Sequence, residues 1–324
     1  MNIKDLLKRD KIIRHFGKRI NIRRQFRQDA KDFSKYYVEM AEGRNDYRYS
    51  ILLIVHSLEK GMCFLEPRPF GLDKVKELIR LLNMYPVSKR NDFEYELGIS
   101  VLFAWRAFFD SHGWQEEKSY KEVSAFLKDK IQNPKMIAGC KEYRPNIENA
   151  IFNEDLFLSR HSVRDFKDVD IKIEDIQFAL KCFVETPTAC NRQMCRVYFI
   201  TNQNIKELLN RVVIGVLGFN KKTVQYFVIT YDLSSFAYSG ERQQGMFNSG
   251  LCTMNFINGL HAKGIGSCCL QWSNKQNEDV EVRRALGLSD SERIAIVIGA
   301  GYYLEKNIIP CSVRRKTDEV FRIV

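Results

Sequence analysis

The chain has 324 residues, 45% of them hydrophobic and 12% aromatic, with only seven prolines, which excludes a disordered polypeptide and allows a sizeable buried core. No apolar run approaches the roughly 18 residues of a spanning helix and the N-terminus has no apolar signal segment, so a cytoplasmic protein is expected. The formal charge of +11 is unevenly placed: residues 1–31 hold eleven Lys/Arg against three Asp, a local excess of +8.

In chain order, residues 3–28 carry Ile3, Leu6, Leu7, Ile13, Phe16 and Ile20 at helical spacing among arginines and lysines. This basic amphipathic pattern suits either a helix packed on its own domain or peripheral contact with an anionic membrane face, here the inner one. No nucleic-acid reading motif accompanies the charge, so no nucleic-acid partner is expected. Residues 46–60 read as a buried helix stopped by Gly61, with His56, Glu59 and Lys60 crowding its last turn. Residues 73–84, 91–110 and 115–130 give three more helical patterns, the middle one dense in aromatics, and 133–146, with Pro134 and Pro145, reads as a linker. An all-helical N-terminal region over 1–149 is therefore expected, followed by a second domain over 150–324.

From residue 150 the rhythm changes. A helix is expected from Ile173 to Val184, with Ile173, Ile176, Leu180 and Val184 near one face. Strands are expected at 195–201, 223–232, 266–272 and 293–302, and helices at 204–213, 240–262 and 277–286. Gly250 and Gly259 in the long helix would permit close helix approach, as in a dimer seam or a buried central helix. Gly299 and Gly301 follow a strand but open no helix, so they are not a dinucleotide fingerprint. The alternation predicts a mixed sheet flanked by helices. The nine cysteines lack Cys-x-x-Cys spacing, so buried free thiols are expected and no metal site.

Two short stretches concentrate the chemistry. The first is Arg160-His161-Ser162-Val163-Arg164 and the second is Pro187-Thr188-Ala189-Cys190-Asn191-Arg192-Gln193. Two arginines flanking a serine suit phosphate, because guanidinium forks match phosphate oxygens bidentately and the hydroxyl adds a donor. The side-chain amides of Asn191 and Gln193 suit the donor and acceptor edge of a planar heterocycle. A helix of about 18 Å between the stretches would place them at its opposite ends.

Arg-His-Ser-x-Arg, then Pro-Thr-x-x-Asn-x-Gln, then Gly264-Ile265-Gly266-Ser267 and the late Arg314-Arg315-Lys316 resemble, in this order, the nitroreductase family of FMN-dependent NAD(P)H oxidoreductases. The resemblance covers about residues 150–324. It implies an α+β sandwich, nitroreductase-like with a mixed or antiparallel sheet, assembled as a homodimer. It also implies that Arg160, Ser162 and Arg164 hold the FMN phosphate, with His161 giving mainly backbone contact and Arg314 or Arg315 closing the phosphate site. Ile265, Gly266 and Ser267 would lie against the ring, and Pro187, Thr188, Ala189, Asn191 and Gln193 would reach the ring, often that of the other subunit. The family pattern continues Asn-x-Gln with Pro-Trp, where this chain has Met194-Cys195. The segment 233–239 is also short, so the helical N-terminal half is expected to cover the face that insertions cover elsewhere.

The activity implied is ping-pong transfer of hydride from NAD(P)H through the flavin to a small-molecule electron acceptor, with no protein nucleophile. No Ser-His-Asp or paired-carboxylate constellation is present to suggest otherwise. The segment His56-Ser57-Leu58-Glu59-Lys60-Gly61 resembles one found ahead of the nitroreductase domain in proteins of bacterial surface-polysaccharide gene clusters. That implies the alternative of an accessory or regulatory protein, with or without flavin, in a membrane-associated polysaccharide biosynthesis complex.

Overall fold

The computed structural model describes residues 11–41, 47–63, 66–128, 130, 136–140, 154–216, 219–307, 309 and 316–324. Among the described residues the chain opens with the helices α1 (Lys11–Ala41), α2 (Arg48–Met62), α3 (Leu72–Met84), α4 (Phe93–Ser111) and α5 (Lys118–Leu127). After the short α6 (Glu154–Leu158) come α7 (Ile173–Val184), β1 (Cys195–Ile200), α8 (Gln203–Val212) and β2 (Gln225–Asp232). The order continues with α9 (Gln244–His261), β3 (Ile265–Gln271), α10 (Gln276–Ala285), β4 (Glu292–Tyr302) and the single turn α11 (Thr317–Val320).

The four strands lie in the order β1-β2-β4-β3, and every neighbouring pair is antiparallel. Of the two sheet types the resemblance allowed, the antiparallel one forms; the parallel pairing among described residues is a single bridge between Ser162 and Ser267. Central strand β2 is covered on both faces, which is why Gln225–Asp232 is almost continuously apolar. Its alternate residues enter different cores. Tyr226 and Val228 meet Leu209 of α8 and Val282 of α10, while Phe227 and Ile229 meet Phe183 of α7 and Phe256 and Leu260 of α9.

The face that α7 buries differs from the expected one. Ile176, Ala179 and Phe183 are buried, whereas Ile173 and Val184 at the two ends are 52% and 65% exposed. The cause lies on α9: a Cβ at Gly259 would sit 2.6 Å from Ala179 Cα, so the helices cross almost backbone to backbone at that point. Gly259 thus serves close approach within the chain, while Gly250 faces open space.

A third core joins the helical region to the sheet. Trp105, Phe109, Leu58 and Leu78 of the helices share one apolar cluster with Met194, Leu233 and Phe236. Phe33 of α1 stacks on Phe236 at 6.1 Å, and Asp32 accepts from Arg293 Nη2 of β4 at 2.8 Å. The helices therefore cover the end of the sheet near 194 and 233–236. Gly61 is not the helix stop that its position suggests. It lies inside the last turn of α2, where a Cβ would meet the Phe70 ring at 2.2 Å, and the helix ends one residue later at Met62. The expected linker 133–146 lies mostly outside the described residues, as do residues 1–10 of the basic segment.

Candidate functional site

Residues 160–167 cross the ends of β3 and β4. The Val163 N–H donates to the Ser267 carbonyl at 3.1 Å, and the Lys167 N–H donates to the Tyr302 carbonyl at 3.0 Å. Between them Phe166 fills the place of a missing side chain: a Cβ at Gly301 would come 2.4 Å from Phe166 Cβ. Two sequence-predicted groups, Arg160-His161-Ser162-Arg164 and Ile265-Gly266-Ser267, are thereby brought together. Ile265 and Ser267 are buried, Arg160, Ser162 and Arg164 are half-buried, and His161 is exposed. A Cβ at Gly266 would come 2.9 Å from the Tyr303 ring, so the strand is open only to glycine there.

One polar chain at this site was not legible in the sequence. His261, the last residue of α9, is hydrogen-bonded through Nε2 to Ser159 Oγ at 2.9 Å and through Nδ1 to Tyr303 Oη at 2.8 Å. Burial holds its imidazole below the ordinary histidine range, and the positive charges of Arg160 and His161 lower it further. The Arg160 guanidinium acts on Tyr303 and Cys269 as well. Its Nε is buried with no hydrogen-bond partner among the described residues. A buried, unsatisfied cationic donor costs stability unless an acceptor meets it, so an anion fits this place. Arg314 and Arg315, expected to close the same site, lie outside the described residues.

The second stretch is not part of this cluster within one chain. Cys195 of β1 lies opposite Tyr231 and hence level with Arg293 on β4, whereas Gly266 lies opposite Gly301. Eight residues of β4 separate these levels, about 27 Å along the strand. The amide loop and the cationic segment thus occupy opposite ends of the sheet, as a helix between them requires.

The loop itself is held in an unusual conformation. Cys190, Asn191 and Gln193 all have positive φ, near +50°, a region that non-glycine residues seldom enter. What sustains it is Arg192, whose side chain is 1% exposed. Its Nε donates to the Ala189 carbonyl at 2.9 Å and its Nη1 to the Ser235 carbonyl at 2.5 Å, and the guanidinium forks onto Glu241. The Gln193 N–H donates to Thr188 Oγ1 at 2.9 Å, and Asn248 Oδ1 accepts from the Ala189 N–H at 3.1 Å. Pro187, Asn191 and Gln193 are left exposed, with Thr188 and Ala189 half-buried. The strained backbone is thus over-determined by the groups packed around it.

At α2, His56 is half-buried, lowered by burial and then by the Lys60 charge. The Glu59 carboxylate accepts from the Gly139 N–H at 3.4 Å and is raised by burial. The Cys63 thiol donates to the Glu59 carbonyl at 3.3 Å, and the described residues offer no cluster of three or more metal-ligating side chains. No described helix is long and apolar enough to cross a membrane.

The nitroreductase family model matches residues 158–232 and 232–302. Among solved structures, a nitroreductase family protein from Streptococcus pneumoniae TIGR4 is 20% identical with a TM-score of 0.45, covering 53% of this chain and 99% of its own. A BluB-like flavoprotein from Clostridium difficile 630 is 19% identical with a TM-score of 0.44, covering 53% and 98%. An FMN-dependent nitroreductase from Clostridium difficile R20291 is 19% identical with a TM-score of 0.42, covering 49% and 92%. No curated protein matches the chain in sequence.

Glu241 is resisted by burial, but the Arg192 hydrogen bond and the N–H groups of Ala237 and Tyr238 outweigh this and leave its carboxyl below the ordinary 4.5. Its contribution is therefore complete above that value and is lost as pH falls through the lowered one. Arg192→Ala strands a half-buried carboxylate together with the Ala189 and Ser235 carbonyls, and urea denaturation at neutral pH should show a loss of about 3 kcal/mol, shrinking as the solution is acidified. An unchanged midpoint would show that the loop is held by other means.

Proposed function

We propose, from the premise that residues 158–302 form a domain of the nitroreductase family, that this protein is an FMN-dependent oxidoreductase acting between NAD(P)H and a small electron acceptor. The observation that carries the reading is the buried, unpartnered Nε of Arg160, on a segment that the Val163–Ser267 hydrogen bond fixes beside β3. Arg160, Ser162 and Arg164 would hold the cofactor's phosphate, with the His161 backbone and Arg314 or Arg315 completing the enclosure. When bound, FMN supplies two-electron chemistry at its ring, which accepts reducing equivalents from NAD(P)H and releases them to the acceptor in turn.

The residues around that place have definable work. Ile265, Gly266 and Ser267 would form a side-chain-poor wall against the ring, since Gly266 admits no Cβ without displacing Tyr303. The cationic side chains would stabilise added negative charge. Pro187, Thr188, Ala189, Asn191 and Gln193 are about 27 Å away along the sheet, so in this reading a second copy of the chain brings them to the ring. An apolar face is available for that copy: Met246, Phe247, Leu251 and Met254 of α9 are exposed side by side.

A further contact is favoured by α1. Phe16, Ile20 and Phe26 are exposed on it among Arg19, Arg23, Arg24 and Arg27, a composition that suits an anionic lipid surface. In this reading the enzyme works at the cytoplasmic face of a membrane, and a role in polysaccharide assembly would place its acceptor there.

The freshly purified protein should be yellow, with flavin absorption that survives gel filtration and is bleached by NADH or NADPH without oxygen. Bound flavin that ignores both nucleotides contradicts the oxidoreductase reading. Arg160→Ala should lose about 2–3 kcal/mol of FMN affinity, and unchanged flavin occupancy would show that the phosphate lies elsewhere. Vesicles containing anionic lipid should retain the full chain and not one starting at residue 32; equal retention of both removes the membrane contact.

A further inference from the structure

Cys195 begins β1 at the foot of the amide loop, and Cys252 lies in the middle of α9, which packs across it. Both thiols are free, Cys252 is buried and Cys195 half-buried. Their side chains face the same cavity, and Cys195 Sγ lies 3.5 Å from Ser249 Oγ, one helical turn before Cys252. Both cysteines line one small open cavity of about 100 Å³, together with Thr186, Thr188 and Gln193. A small oxidant can therefore reach the pair, although little of either sulfur faces bulk solvent. The adjacent Cys268 and Cys269 offer no comparable arrangement, because one is buried and the other exposed on alternating faces of β3.

The two thiols are not equivalent. The neighbouring Cys252 side chain is the largest influence holding the Cys195 thiol below the ordinary cysteine range, against burial and with help from Ser249 and the Arg196 charge. Cys252 is pushed upward by the neighbouring Cys195 and by burial, so it keeps its proton. Such a pair has one sulfur prepared as a nucleophile and one prepared to follow it.

We propose that Cys195 and Cys252 are a redox-active dithiol that a hydroperoxide closes reversibly to an intramolecular disulfide. The Cys195 thiolate attacks one peroxide oxygen, the O–O bond breaks, and the departing hydroxide takes up the proton that Cys195 had released, leaving as water. Cys195 is then a sulfenic acid. The Cys252 sulfur attacks the Cys195 sulfur, the S–O bond breaks, and hydroxide leaves with the Cys252 proton as a second water. Two thiols and one hydrogen peroxide thus give one disulfide and two waters, with the sulfurs oxidised and the peroxide oxygens reduced. A dithiol reductant reverses the bond by thiol exchange. The cross-link ties β1 to α9 directly beneath Thr188 and Gln193, so it bears on the strained loop. It requires no bound flavin, and its test is independent of the activity proposed above.

The full chain is treated with hydrogen peroxide near equivalence, quenched with N-ethylmaleimide and digested with trypsin without reduction. Each of the two peptides concerned, 193–196 and 243–263, contains a single cysteine. The expected product is these peptides joined, lighter by about 2 Da than their sum and separated by a dithiol reductant. The Cys195→Ser variant should lose this product, and Cys252→Ser should leave Cys195 as a sulfenic acid captured by dimedone. Recovery of both cysteines as N-ethylmaleimide adducts while other thiols are oxidised overturns the proposal, as does Cys195 joined instead to Cys182 or Cys190. If Cys252→Ser does not fold, the wild-type peptide map decides alone.

Discussion

The hydrogen bond from the Val163 N–H to the Ser267 carbonyl is the constraint on which the candidate site depends. It joins two segments a hundred residues apart and sets a cationic stretch against the outer edge of β3. The companion bond from Lys167 to Tyr302 and the seating of Phe166 over Gly301 extend the join to β4. Without these contacts Arg160 would be a solvated surface arginine. With them, its Nε is buried and needs an acceptor that the described residues do not supply.

The opposite end of the sheet is built on a different principle. There the buried Arg192 fixes a loop whose backbone is strained at three non-glycine residues, and the helical region closes over it through Phe33, Met194 and Phe236. The N-terminal half of the protein is thus bonded to the end that carries the amide loop, not to the end that carries the cationic segment. Because the two ends lie about 27 Å apart along the strands, the two stretches do not meet within one copy of the chain.

Much of this was readable in advance. The four strands and the helices between them announced themselves by β-branched runs and helical spacing, and their observed bounds fall within a few residues of the expected ones. The face of α7 was misread because the eye follows large residues: Ile173 and Val184 are apolar but stand at the ends, while the contact that decides the packing is Ala179 against Gly259. Gly61 failed for a related reason, since a glycine near a helix end can mark a close contact as readily as a stop, and Phe70 is its partner. Arg192 carried no signal at all. An arginine among amides and a proline looks like surface, and its partner Glu241 lies 49 residues on. The meeting of residues 160–164 with 265–267 is likewise a long-range pairing that periodicity does not encode; only the resemblance linked them.

The central claim is that the cationic segment recognises a phosphate on a ring-bearing cofactor. The most direct test is to titrate flavin-free protein with FMN and with riboflavin, which share the ring and differ in the phosphate, following the quenching of flavin fluorescence. Losing a charge-assisted contact from each of two arginines should weaken riboflavin by roughly 3 kcal/mol or more, over a hundredfold. Equal affinity for the two would show that Arg160 and Arg164 do not read a phosphate, and the functional account would fail with it.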